Sequence, residues 1–141
     1  MLLASGCTTQ RAAFAGHDAD TVWTAMVAAA RTPDYEGGAA DQRWTVRENE
    51  VWVDDENGRI EVLRKVERLI HQPATSPRME SRQWKLQIAL EERDPPTVRF
   101  SSRNFGVPAH AWDEAARYFE DVRRVLEGDV GTAAAEETAE E

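Results

Sequence analysis

Trp84, Leu86, Ile88 and Leu90 occupy every second position of the segment Ser81 to Glu92, and Gln83, Lys85, Gln87 and Glu91 stand between them. A period of two is that of a half-buried strand, apolar on one face and wet on the other. Such a strand is not stable alone, because its apolar face needs a second layer. The C-terminal part of the chain supplies one. Trp112, Ala115, Ala116, Phe119, Val122 and Leu126 recur at helical spacing, Pro108 suits the first turn and Gly128 the C-cap. Asp113 and Glu114 near the start and Arg123 and Arg124 near the end match the helix dipole.

The rest of the chain fits around this pair. A first helix is predicted from about Asp20 to Arg31, with Val22, Trp23, Met26, Val27 and Ala30 on its stripe and Asp18 or Asp20 as N-cap. Thr32-Pro33-Asp34 ends it, and Tyr35 to Ala40 reads as a flexible connection. Trp44 and Val46 start a strand, Glu48-Asn49-Glu50 reads as a turn, and Val51-Trp52-Val53 as a short strand. Asn57-Gly58 is a strong hairpin cue, since both residue types tolerate positive φ. Arg59 to His71 has two readings. Periodicity alone favours a helix with Val62, Leu63, Val66, Leu69 and Ile70 together. The preceding turn and the β-branched content favour a strand, which we adopt, although Arg64 and Arg68 then share the apolar face with Ile60, Val62, Val66 and Ile70. Val98 and Phe100 begin a last strand after the turn at Arg93 to Pro96.

The expected fold is α+β: an antiparallel meander of four to five strands, covered on one face by an N-terminal and a C-terminal helix. One domain over residues 18–128 is expected, with a core of Trp84, Leu86, Ile88, Leu90, Phe100, Trp112, Phe119 and Val122. The arrangement is similar, at the level of fold alone, to small outer-membrane-assembly lipoproteins and to helix-grip binding domains.

Residues 1–17 carry a different signal. Leu3-Ala4-Ser5-Gly6-Cys7 resembles the lipobox of bacterial lipoproteins, and Cys7 is the single cysteine of the chain. The family's favoured leucine three places before the cysteine is Ala4 here, and a basic n-region with a full apolar h-region is missing upstream, so the true start lies further upstream or a signal was trimmed. The resemblance implies lipidation at Cys7, attachment to a membrane through that lipid, and a place in the bacterial cell envelope facing the periplasm or exterior. Thr8 to Gly16 then reads as a tether.

Charge is uneven. The chain carries −9, but Glu127 to Glu141 hold six acidic residues and no basic one, which leaves −3 elsewhere. Residues 129–141 are expected to be a disordered acidic tail. An acidic chain disfavours nucleic acid as a partner. No apolar run reaches the length of a spanning helix.

Chemical motifs are sparse. His17, His71 and His110 are scattered, and the one helical pair, His110 with Glu114, lacks a second histidine, so no metal is assigned. A calcium loop aligned on Gly58 puts Val53 and Arg64 where carboxylates belong. No phosphate loop, nucleophile elbow or cofactor motif is present, and no catalytic residue is assigned. What remains is a contact surface. Trp44 and Trp52 sit near sheet edges or turns, and Arg64 and Arg68 belong to a series of basic residues from Arg59 to Arg103 interleaved with glutamates. The leading expectation is a lipid-anchored, non-enzymatic accessory protein that meets an envelope protein. The alternative is a domain that grips an apolar or amphipathic ligand between sheet and C-terminal helix.

Overall fold

Five strands and two helices build the domain in the computed structural model, which describes residues 7–35, 44–71, 73–103 and 108–128. The elements are β1 (Cys7–Ala13), α1 (Ala19–Arg31), β2 (Thr45–Asp54), β3 (Arg59–Ile70), β4 (Arg78–Arg93), β5 (Pro96–Arg103) and α2 (Pro108–Glu127). The strands form one sheet in the order β1-β5-β4-β3-β2, and each neighbouring pair is antiparallel. Both helices pack on the same face. Ile60, Val62, Val66, Trp84, Leu86, Ile88, Val98 and Phe100 of the sheet share one core with Val22, Met26, Ala29 and Ala30 of α1 and Ala111, Ala115, Tyr118, Phe119 and Val122 of α2. The α+β arrangement expected from the sequence is thus the observed one.

Local chemistry sets the boundaries. Asp18 caps α1, its Oδ1 accepting the Thr21 N–H at 2.7 Å. Gly128 follows α2 with φ of +92°, and its N–H reaches the Val125 carbonyl at 3.1 Å. Asp54 and Arg59 close the β2–β3 hairpin, so its loop has four residues. Asp54 accepts the Asn57 N–H at 3.3 Å and the Asn57 side-chain amide at 2.8 Å, and Gly58 takes the positive φ of +63°.

Three expectations need correction. The segment read as a tether contains β1, paired with β5 from Cys7 opposite Arg103 to Ala13 opposite Thr97. Small and polar side chains hid it, because an edge strand is held mainly by its backbone ladder. Phe14 just beyond it is core, with its ring 6.4 Å from that of Phe119. The turn read at Glu48 to Glu50 is instead the interior of one long β2 with a bulge at Arg47. The extra residue shifts the alternation by one, so that Val46 before it and Asn49, Val51 and Val53 after it pair with the inward residues of β3. Trp112, placed in the core by its stripe, is 54% exposed. Leu90 and Trp23 are half-buried at the core's margin, the latter with its indole N–H on Asp55 at 2.9 Å. The lipobox residues before Cys7 and the acidic tail lie outside the described residues, as does most of the connection after Tyr35.

Candidate functional site

The alternation of β3 sends Arg64 into the layer between sheet and helices, where it is 1% exposed. An isolated guanidinium could not stay there, and every element around it answers the charge. Glu114 of α2, 3% exposed, accepts from Arg64 Nη1 at 2.8 Å. The Tyr35 hydroxyl stands 3.2 Å from the same nitrogen. Asn49 Oδ1 accepts from Nε at 2.8 Å, and the Ala30 carbonyl near the end of α1 accepts from Nη2 at 3.1 Å. Asn49 also donates to that carbonyl at 3.0 Å, so the inward polar position created by the β2 bulge completes the set.

Along α2 the network continues one turn at a time. Arg117 pairs with both Glu114 and Asp121, and lies 4.0 Å over the Tyr35 ring. Arg124 joins Asp121 at 3.2 Å to Asp34 at 3.0 Å. Burial pushes the Tyr35 phenol well above its usual range, and the neighbouring Glu114 charge adds to this. Burial also raises the Asp121 carboxyl, against the opposing pull of Arg117. Burial works against the Arg117 cation, but the charge and hydrogen bond of Glu114, together with Tyr35 and Asp121, outweigh it and hold the guanidinium charged. These groups satisfy one another except at Arg117 Nε, which is buried without a hydrogen-bond partner among the described residues. The network therefore ties α1, β2, β3 and α2 together.

A smaller polar cluster occupies the end of the same face. Arg68 lies 4.3 Å over the Trp44 ring and pairs with Glu80 at 2.7 Å, while Arg82 holds the other Glu80 oxygen at 2.6 Å. Trp44 meets Trp84 and His110 edge-on, at 5.2 and 6.0 Å. Burial opposes the Glu80 charge, yet the hydrogen bond and charge of Arg68 hold its carboxyl below the usual range.

The opposite face of the sheet has no helix on it among the described residues. Trp52, opposite Glu61 on β3, is 54% exposed there. Trp52, Val53, Asp54, Arg59 and Glu61 line a recess of about 440 Å³. Arg59 and Glu61 continue into a second of about 260 Å³, walled by Gln87, Ala89 and Arg99. Towards the far end of β3 the exposed pair Leu69 and Met79 adds apolar surface. Arg11 and Arg99 share Glu91 at 2.7 and 3.4 Å. The open face thus presents an exposed aromatic side chain beside Arg59, Glu61 and Arg99.

The four sequence-selected contact residues therefore separate. Trp52 lies on the open face; Arg64 is internal, and Arg68 and Trp44 stack together at the rim of the helix-covered face. Cys7 opens β1 at the sheet edge. Among the described residues no three His, Cys, Asp or Glu groups gather as a metal set. Glu114 is occupied by Arg64, Arg117 and Tyr35, and His110 packs on Trp44. The space between sheet and α2 is filled by Trp84, Phe100, Tyr118 and Phe119. The partners of Arg64 escaped the sequence reading, though a signal existed. Glu114, Arg117, Asp121 and Arg124 alternate in sign at steps of three and four, beside the apolar stripe of α2. The chain matches no protein-family model and no curated protein.

Proposed function

We propose that this chain is a non-enzymatic accessory protein of the bacterial cell envelope, lipid-anchored at Cys7, which offers the open face of its sheet to a protein partner. The observation that carries the reading is that open face: it holds Trp52 with its ring largely in solvent, beside recesses lined by Arg59, Glu61, Gln87 and Arg99. Aromatic and arginine side chains of this kind supply the anchoring contacts of interfaces. The helix-covered face is closed by the core and by the Arg64 network, which suits a scaffold that holds a surface rigid. No helix among the described residues is long and apolar enough to cross a membrane, so the anchor in this reading is the lipid. Two acyl chains suffice for stable attachment. Because β1 begins at Cys7, a lipid there holds the domain directly at the bilayer rather than on a long tether.

Two variants in the native organism test the two halves of the reading separately. Cys7→Ser should move the protein from the membrane fraction to the soluble one. Trp52→Glu should leave it in the membrane and folded, but abolish its co-purification with an envelope protein after crosslinking. A Cys7→Ser protein that still pellets with membranes contradicts the anchor. An unchanged set of crosslinked proteins in Trp52→Glu contradicts the contact surface.

A further inference from the structure

The two edges of the sheet are built differently. β2 is interrupted by the bulge at Arg47 and carries Arg47, Glu48, Glu50 and Asp54, features that discourage another strand from joining. β1 runs in unbroken register with β5 over seven residues, with Arg11 as its single charge and no proline. Phe14 N–H donates to the Pro96 carbonyl at 2.8 Å, which fixes the alternation of the ladder. Ala12 and Gln10 turn their backbone groups to β5, and Thr9, Arg11 and Ala13 turn theirs outward. Among the described residues no strand lies on that side.

We propose that β1 is the dimer interface of this protein, pairing antiparallel with β1 of a second copy to give one ten-stranded sheet with a two-fold axis at Gln10. This register sets Arg11 opposite Thr9 of the second copy and Ala13 opposite Cys7. The outward groups of all four positions then meet partners, and no like charges are opposed. Shifting the axis to Arg11 places two guanidinium groups face to face, and shifting it to Thr9 leaves Ala13 unpaired. The strand is therefore self-complementary in one register, as a two-fold interface requires.

The helix layer gives an independent observation. Phe119 meets Phe14 at 6.4 Å and Phe100 at 6.3 Å, and Arg123 lies 5.6 Å over the Phe14 ring, so this side of α2 overhangs β1. Trp112 lies on the same side, two turns earlier, and is 54% exposed. His110 beside it packs on Trp44, which in turn meets Trp84, and Trp84 lies next to the row that joins Lys85, Arg103 and Cys7, so this turn is at the Cys7 end of the sheet. In the proposed register Ala12 of the second copy lies opposite Thr8, at that end. The continued sheet thus brings apolar surface beneath Trp112, and each copy covers the exposed indole of the other.

The full chain with Cys7→Ser, which leaves no native thiol, is the starting protein. Sedimentation equilibrium from micromolar to submillimolar concentration should give the mass of two chains, twice 15.9 kDa. Gln10→Cys added to it should oxidise to a covalent dimer, because a non-hydrogen-bonded antiparallel pair sets its Cα atoms at disulfide distance. Ala12→Cys should not, since its two copies lie about 14 Å apart. Arg11→Pro removes an outward N–H without touching the ladder to β5, and should weaken association roughly tenfold or more, as should Trp112→Lys. Far-UV circular dichroism verifies that each variant is folded, and Trp112→Lys, on an exposed position, stands in if Arg11→Pro is not. A monomer at every concentration overturns the proposal. So does a dimer that both substitutions leave intact, or crosslinking at position 12 as fast as at position 10.

Discussion

Removing either side of the Arg64–Glu114 pair should destabilise the domain, and the two losses should be unequal. Arg64→Met takes away four hydrogen bonds, to Asn49, Tyr35, Glu114 and the Ala30 carbonyl. The carbonyl keeps Asn49, and Glu114 keeps Arg117 and Tyr35, so the buried carboxylate still has a cation. Breaking a buried pair costs about 3–5 kcal/mol, and this case belongs near about 3. Glu114→Gln is worse. It leaves Arg64 almost fully buried with no carboxylate, while Arg117 still has Asp121. A loss near about 5 kcal/mol follows. The double variant no longer buries an unpaired charge at either site, so it should be less destabilised than the sum by about 1.5–3 kcal/mol. Urea unfolding followed by circular dichroism measures all three, with stability taken from the midpoint and slope. Equal losses, single losses below about 1 kcal/mol, or strict additivity would refute the view that this network is a coupled clamp.

Three further outcomes follow from the packing and the charges. Phe119→Ala should cost about 3–5 kcal/mol, whereas Trp112→Ala, measured on monomer, should stay within about 0.5 kcal/mol; similar values for the two would mean that the burial along α2 is misassigned. Glu80 has its folded pKa held below the ordinary 4.5, so its stabilising contribution is present above that pH and is lost as the pH falls through the lower folded value. Glu80→Gln should therefore lower the urea midpoint at neutral pH and flatten its decline on acidification, and a parallel decline in both proteins would contradict the pairing with Arg68 and Arg82. Mass spectrometry of the native protein should find a diacylglyceryl group on Cys7; a mature chain with an unmodified Cys7 would remove the anchor.

Much of this fold is legible in the sequence because apolar periodicity is strong where burial is deep. Trp84, Leu86 and Ile88 declare β4, and Phe119 and Val122 declare α2. The segment of β3 is harder, and its arginine is the reason. Arg64 on an apolar strand face looks like an error of assignment until Glu114, Asn49 and Tyr35 are brought to it by three other elements. Contacts of that kind join residues fifteen to fifty positions apart and leave no local pattern. β1 is hidden for a different reason. Its hydrogen bonds belong to the backbone, which every sequence carries alike. The β2 bulge was visible as a change of phase between Val46 and Val51, but a turn gives the same change. Of the contact residues, Trp52 follows from a strand whose other face holds Val51 and Val53. Trp112 shows the converse limit, since a helical stripe fixes a direction and does not say whether the chain itself fills it.

The open sheet face is the surface proposed to meet a partner. A photo-crosslinking amino acid placed singly in the native protein, in intact cells, tests this most directly. Positions 52, 61 and 87 sample that face, and positions 116 and 120 sample the solvent side of α2. One discrete adduct of the same mass is expected from positions 52, 61 and 87, and none of that mass from 116 or 120. Adducts from the helix positions with a silent sheet face would contradict the proposal.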